Sequence, residues 1–144
     1  MHNLRRVLFN TQAGYAITLL RITTGLTFAA HGAQKLFGWF GGYGLEGTGQ
    51  WMASIGLEPG VLMALLAGSA EFFGGLLLVI GLLVRPAALS LVVAMLIALF
   101  WVHLGNGFFM ASNGFEYAMT LAVISVVLLV EGAGRLSVDA RLQG

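Results

Sequence analysis

Long stretches without charged residues constrain this chain more than any other feature of its sequence. The apolar runs predict four helical spans at about residues 13–33, 61–83, 87–104 and 113–131. A helix rises about 1.5 Å per residue and a bilayer's hydrocarbon core is about 30 Å thick, so a crossing needs roughly 20 residues. Barrel strands alternate apolar and polar residues, which these runs do not. The chain is therefore expected to form an all-α membrane protein, a bundle of four transmembrane helices.

The composition supports the same class. Charged residues make up 9% of the chain and hydrophobic residues 58%, against about 25% charged in an ordinary soluble domain. This excludes a soluble enzyme and a nucleic-acid binder, and it makes the lipid bilayer the expected partner. The 144 residues suffice for one domain, residues 1–144, and the absence of cysteine excludes disulfides and thiolate chemistry.

The distribution of cations predicts the orientation. Five cations fall on the side of the termini and the second-to-third turn, and one falls on the opposite side: Arg5, Arg6, Arg85, Arg135 and Arg141 against Lys35. Because cations concentrate on the cytoplasmic side, both termini are expected in the cytoplasm.

The long connection between residues 36 and 60 then faces outward. Residues 48–55 within it are predicted to form a short interfacial helix, with Trp51 and Met52 dipping into lipid as anchors. A lid over a ligand is the alternative interpretation of this segment.

Two ionisable residues interrupt the first two spans. Arg21 lies ten residues before His31, and Glu71 lies ten residues after Val61. If His31 and Val61 mark the outer ends of antiparallel helices, both charges lie at the same depth. We therefore expect a buried Arg21–Glu71 ion pair, whose role as a packing clamp or as a functional group stays open.

Polar side chains from three spans converge nearer the outer surface. His31 and Lys35 share one helix face, His103 ends the third span, and Glu116 opens the fourth. These four residues are expected to form an outward-facing polar pocket and are the candidate catalytic groups.

A quinone is the ligand that suits such a pocket best. Its carbonyls need donors such as His31 and Lys35, and its ring needs walls such as Phe28, Trp101 and Tyr117. Haem is disfavoured because both histidines lie near the membrane edge. The spacing of the histidines and Glu116 is not specific for a metal, and no metal site is predicted.

Several sequence segments together resemble the DoxX family of small four-helix membrane proteins. They are Arg21, HGAQKLFG from His31, EFFGG from Glu71 and GLLVR from Gly81. The resemblance implies a bacterial cytoplasmic (inner) membrane protein. The family is named after a subunit associated with quinone-linked thiosulfate oxidation, its members are often labelled oxidoreductases, and the archetypal enzyme has a second polypeptide.

Three functions remain open on the sequence. The chain is expected to be a quinone-interacting redox subunit that depends on a partner redox protein for electrons. The alternatives are a noncatalytic anchor or assembly subunit and a small-molecule transporter, although short spans without repeats disfavour alternating access. Whether the chain is catalytic and whether it forms a homo-oligomer stay open.

Overall fold

The computed structural model describes residues 2–11 and 14–143. Within that part of the chain the structure is helical and contains no strand, which confirms the all-α class. The helices are α1 (His2–Phe9), α2 (Tyr15–Phe37), α3 (Gly44–Ser54), α4 (Gly60–Ile80), α5 (Val84–Ile97), α6 (Glu116–Glu131) and α7 (Val138–Gln143). Residue 13, where the first span is predicted to begin, and the side chain of Arg5 lie outside the described part.

The third long helix continues past its regular α-helical part. A π-helical segment, Ala98–His103, and a short 3₁₀ turn, Leu104–Asn106, extend α5 without interruption. In the described part of the chain, two helices are long and apolar enough to cross a membrane: Gly60–Ile80 and the extended α5, Val84–Asn106. The four-span topology stays a prediction, because α6 has 16 residues and α2 carries Arg21, Lys35 and four threonines.

The long helices pack as two intimate pairs, α2 with α4 and α5 with α6, and α4 also packs on α5. The completely buried apolar side chains lie between them and include Phe28, Leu78, Val84, Leu91 and Leu128. Helix α3 packs across the beginning of α4. The short helix predicted around residues 48–55 therefore exists, but Met52 is buried at 6% exposure and packs inward instead of dipping into lipid.

Helices α1 and α7 pack on each other, so both termini lie at the same end of the bundle, which we call the terminal end. Arg85 links three segments there. Its guanidinium donates to the carbonyl of Leu129 at 2.8 Å, in the last turn of α6, and to that of Asn10 after α1. Asp139 of α7 accepts the backbone N–H groups of Leu83 and Val84, at 2.8 and 3.0 Å, where α5 begins. Charged side chains thus hold helix ends that would otherwise carry unpaired backbone groups.

Candidate functional site

The register between α2 and α4 determines which side chains can meet. A methyl group added to Gly32 would overlap the backbone of Phe72, and one added to Gly75 would lie 2.5 Å from the amide nitrogen of Ala29. The two backbones are therefore in contact at this crossing, as small residues in membrane helices permit. Farther toward the other end of the bundle, which we call the loop end, Gly68 faces Lys35.

Lys35 and Glu71 form an ion pair across this crossing. The Lys35 Nζ lies 2.7 Å from Oε2 of Glu71, and their side chains are 25% and 5% exposed. Among the described residues, Oε1 of Glu71 has no hydrogen-bond partner. Because no buried side-chain nitrogen or oxygen among the described residues lacks a partner, this second oxygen is not sealed in, and the nearly buried carboxylate keeps it open to a further donor.

The expected ion pair between Arg21 and Glu71 is wrong. Instead, the Arg21 guanidinium donates to four backbone carbonyls, those of Leu78 (2.5 Å), Val79 (2.8 Å), Ala133 (2.8 Å) and Leu136 (3.1 Å). Helix α2 continues beyond residue 33 to Phe37, where Gly38 ends it in the left-handed conformation. Arg21 consequently lies beside the end of α4, while Glu71 lies near its middle.

A cavity of about 220 Å³ adjoins the ion pair. Six of the side chains that line it come from α2, α4, the end of the extended α5 and α6: Phe28, His31, Lys35, Glu71, His103 and Tyr117. Five of them, all except Glu71, were proposed from the sequence as pocket or wall residues. The rest of the lining is apolar and consists of Met95, Ala98, Met110, Ala118 and Leu121.

A second cavity of about 260 Å³ is also lined by both members of the pair. It shares Lys35, Glu71, Ala98 and His103 with the first cavity and adds Trp51 of α3 among its walls. The ion pair therefore stands at a wall common to both cavities. The two spaces together form what we call the paired cavity.

Both histidines of the paired cavity have partners. The Tyr117 hydroxyl lies 3.4 Å from Nε2 of His31, and Nδ1 of His103 lies 2.9 Å from the carbonyl oxygen of Asn113. Because a carbonyl only accepts, Nδ1 of His103 is assigned the proton, which leaves Nε2 as an acceptor. His103 is the last residue of the π-helical segment. A π-helix has more residues per turn than an α-helix, so the side chains that follow it point in different directions from those of a continuous α-helix.

Two predicted site residues lie elsewhere. Oε1 of Glu116 accepts the backbone N–H of Met110 at 3.0 Å, and Glu116 lines neither cavity. The indole N–H of Trp101 donates to the carbonyl of Ile55 at 2.8 Å, so this ring joins α5 to the segment after α3. Its side chain also lies outside the paired cavity. The sequence arguments, in turn, missed Glu71 as a cavity residue because they assigned it to Arg21.

The paired cavity offers hydrogen-bond donors and acceptors inside apolar walls. Lys35 has three donor positions, of which one is directed at Glu71. Within the described residues, no group of three or more His, Cys, Asp or Glu side chains is placed to hold a metal ion. The arrangement can bind a small ligand with carbonyl or hydroxyl groups and exchange protons with it.

Comparisons with known proteins agree with the motifs noted in the sequence. The sequence model of the DoxX family matches residues 16–104, a segment that contains Lys35, Glu71 and His103. No solved structure matches the chain significantly.

Three relatives illustrate the range of similarity. An uncharacterized protein of Haemophilus influenzae is 34% identical over 128 residues, which cover 87% of this chain and 89% of the relative. "Putative oxidoreductase CatD" of Bacillus subtilis is 33% identical and covers 84% of this chain and 82% of that protein. "Inner membrane protein YphA" of Escherichia coli is 27% identical over 98% of this chain and 100% of that protein. The predicted family is confirmed: this chain belongs to the DoxX family.

Proposed function

We propose that this protein is a quinone-interacting redox subunit of the inner membrane, with the quinone head group held in the paired cavity. The observation that carries the proposal is the Lys35–Glu71 ion pair at the shared wall of two cavities. Lys35 can donate to a quinone carbonyl, and the open oxygen of Glu71 can accept from the hydroxyl of the quinol. The name of the Bacillus subtilis relative describes an oxidoreductase and that of the Escherichia coli relative an inner membrane protein, which supports the setting.

In this proposal α2, α4, extended α5 and α6 cross the membrane. The terminal end carries Arg6, Arg85, Arg135 and Arg141 and faces the cytoplasm. The loop end, with Lys35 and His103, faces the periplasm. Arg21 is accommodated within α2 because four backbone carbonyls surround its guanidinium.

The residues around the cavity suit a quinone head group. A quinone carbonyl accepts hydrogen bonds, and Lys35 has donor positions beyond the one used by Glu71. Phe28 and Tyr117 provide ring faces for stacking. His31, already close to the Tyr117 hydroxyl, can bind the second carbonyl when its ring nitrogen is protonated.

Reduction of a quinone to its quinol takes two electrons and two protons. The chain has no cysteine and no dinucleotide-binding fingerprint, so the electrons come from a partner redox protein with its own cofactor. His31 and the Lys35 ammonium are the groups that can each pass a proton to the reduced quinone, since both line the cavity and the Glu71 carboxylate paired with Lys35 carries none. The paired cavity thus supplies binding and proton transfer, and the partner supplies electrons.

Bound quinone tests this proposal directly. Wild type, Glu71→Gln and Glu116→Gln are purified from membranes in mild detergent, and the quinone extracted from each is measured per mole of protein. We expect wild type and Glu116→Gln to retain quinone, because Glu116 lies outside the cavity, and Glu71→Gln to lose it. Equal retention by both variants, or no quinone in any sample, would refute the proposal.

A noncatalytic anchor is the second candidate, favoured by the backbone contact at Gly32 and Gly75. In that case the Lys35–Glu71 pair only determines how α2 and α4 pack. Substitutions at the pair would then change stability or assembly with a partner protein, and no sample would contain quinone. The same measurement therefore separates the two candidates.

A further inference from the structure

An apolar groove leads from the paired cavity to the outer surface of the bundle between α4 and α5. We infer that this groove holds the prenyl tail of the ligand. The substrate is then a long-tailed, membrane-soluble quinone that reaches the site sideways from the bilayer. This inference rests on the proposed function, since the groove matters only if the head group lies in the paired cavity.

The groove has a volume of about 220 Å³, and its lining consists of four small residues and six larger apolar ones. Ala67 and Ala70 of α4 face Ser90 and Ala94 of α5 across it. The Ser90 hydroxyl donates to the carbonyl of Ala87 at 2.7 Å, so its polarity is satisfied within its own helix. A chain of methylene groups can therefore lie in the groove without meeting an unpaired polar atom.

The rim of the groove faces the outside of the protein. Leu66, Val93 and Ile97 belong to its walls and are 57%, 52% and 47% exposed. In a membrane such exposed apolar side chains lie against lipid. The groove is thus open to the hydrocarbon and not only to the aqueous phase at the loop end.

The groove adjoins the paired cavity. Met52, Leu57, Ala67, Ala94 and Ile97 line both the groove and the cavity that contains Glu71. One face of these side chains bounds the polar space, and another bounds the apolar one. A ligand with a polar head and an apolar tail would match this change of lining.

The groove also continues toward the terminal end. A further opening of about 400 Å³ shares Ala70 and Ser90 with it and reaches Gly74 and Ala87. From Ala67 to Gly74 the seam follows α4 for about 10 Å, or two turns. The tail therefore has room to run along the α4–α5 seam past the depth of Glu71 toward the terminal end.

The depth of the site favours a quinone over a phospholipid. Glu71 lies eleven residues after Gly60, the first residue of α4, which is about 16 Å below its outer end. A phospholipid would have to take its charged phosphate to this depth, at a large desolvation cost. A quinone head group is neutral and can lie there with its tail in the groove.

The test compares two probes that share one ring. A benzoquinone without a tail and the same ring with a long polyprenyl tail are titrated onto purified protein, with quenching of Trp51 in the cavity wall as the signal. The groove variants are Ala70→Phe and Ser90→Phe, because both residues line the groove and neither lines the paired cavity. Val123→Phe is the matched control, because the Val123 side chain on α6 is 58% exposed and lines neither the groove nor the paired cavity.

We expect each groove variant to weaken binding of the long-tailed quinone about tenfold. This is the loss in affinity expected when about two methylene groups of the tail lose their contacts. The tail-less quinone should bind all variants as it binds wild type, which also shows that the variants are folded. The control should change neither affinity.

Four outcomes would overturn the inference. If the groove variants bind both probes equally more weakly, the substitutions damage the head-group site. If they bind both probes as wild type does, the tail lies elsewhere. Phosphatidylethanolamine that copurifies with wild type and is lost from Ala70→Phe, while both quinones still bind, would make the groove a phospholipid site. If wild type binds neither probe, the proposed function fails, and this inference fails with it.

Discussion

The Lys35–Glu71 pair permits a double-mutant cycle that separates a ligand site from a packing clamp. The variants are Lys35→Met, Glu71→Leu and the double variant with both changes. Lys35→Met leaves Glu71 nearly buried without its cation, and Glu71→Leu leaves an ammonium that is still 25% exposed and can turn toward water. The two single changes are therefore unequal in cost.

The magnitudes follow from the burial of each partner. Breaking a buried pair costs about 3–5 kcal/mol, and we expect the low end, about 3 kcal/mol, for Lys35→Met because the pair is partly exposed. Glu71→Leu should cost about 1 kcal/mol, as for a partly solvated ion pair. Replacing both charges by apolar groups of similar volume is often neutral or stabilising, so the double variant should lie within about 1 kcal/mol of wild type.

The assay combines thermal unfolding in detergent, followed by circular dichroism, with quinone content measured on the same samples. At about 3–4 °C per kcal/mol for a chain of this size, Lys35→Met should lower the Tm by about 10 °C. The double variant should recover most of this loss. All three variants should lack quinone, because the head group loses its charged partners whether or not the fold is restored.

Two results would refute this reasoning. A double variant that is stable and still retains quinone would show that the pair does not hold the head group. A Lys35→Met variant with the Tm of wild type would show that Glu71 is satisfied without Lys35, and the energetic argument from its burial would fail.

Three further substitutions test the remaining features. Arg21→Lys should cost about 2–3 kcal/mol, because an ammonium cannot reach the four carbonyls that the planar guanidinium joins, while quinone content stays at the wild-type level. Gly32→Ala should lower stability by about 3 kcal/mol through overpacking against α4, whereas Gly105→Ala, with no neighbour within 4 Å, should change it by less than about 0.5 kcal/mol. The chain has no cysteine, so a single introduced cysteine reports the side of the membrane on which it lies. Ser112→Cys should react with a membrane-impermeant thiol reagent in intact spheroplasts, and Leu142→Cys should react only after lysis. The reverse pattern would show that the proposed topology is inverted.

The helical class follows from the sequence because long apolar runs permit few alternatives. The predicted second span, 61–83, differs by a few residues from Gly60–Ile80 of α4. The ends of helices are harder to predict than the apolar runs that form them. The first span is predicted to end at about residue 33, yet α2 continues to Phe37 and ends only where Gly38 takes a positive φ.

The four-residue extension accounts for only part of the wrong assignment of the ion pair, and the register between α2 and α4 accounts for the rest. Matching His31 with Val61 placed Arg21 opposite Glu71, whereas the contacts of Gly32 with Phe72 shift α2 along α4 by about twelve residues. The resulting displacement of Arg21 is about 18 Å. Register depends on which glycines touch which backbone, and periodicity within one helix carries no information about it.

The predicted cavity residues also divide into those whose position follows from the sequence and those whose position does not. His31, Lys35 and His103 were recognised because ionisable groups are rare in apolar segments. Glu116 and Trp101 have the right chemistry and depth, but their directions depend on local contacts with Met110 and Ile55. A helix of π type in α5 has no sequence signature from which the direction of Trp101 could be derived.

The carbonyl partners of Arg21 have a consequence for how the chain enters the membrane. Ala133 and Leu136 lie 112 and 115 residues after the arginine that they bind, so they are synthesised last. Until they emerge, α2 carries a cation whose insertion costs about 2.5–3.5 kcal/mol and whose native partners are incomplete. In the proposed topology, α2 should therefore stay shallow or held by the insertion machinery during synthesis, and the segment after α6 should complete the embedding of the first span.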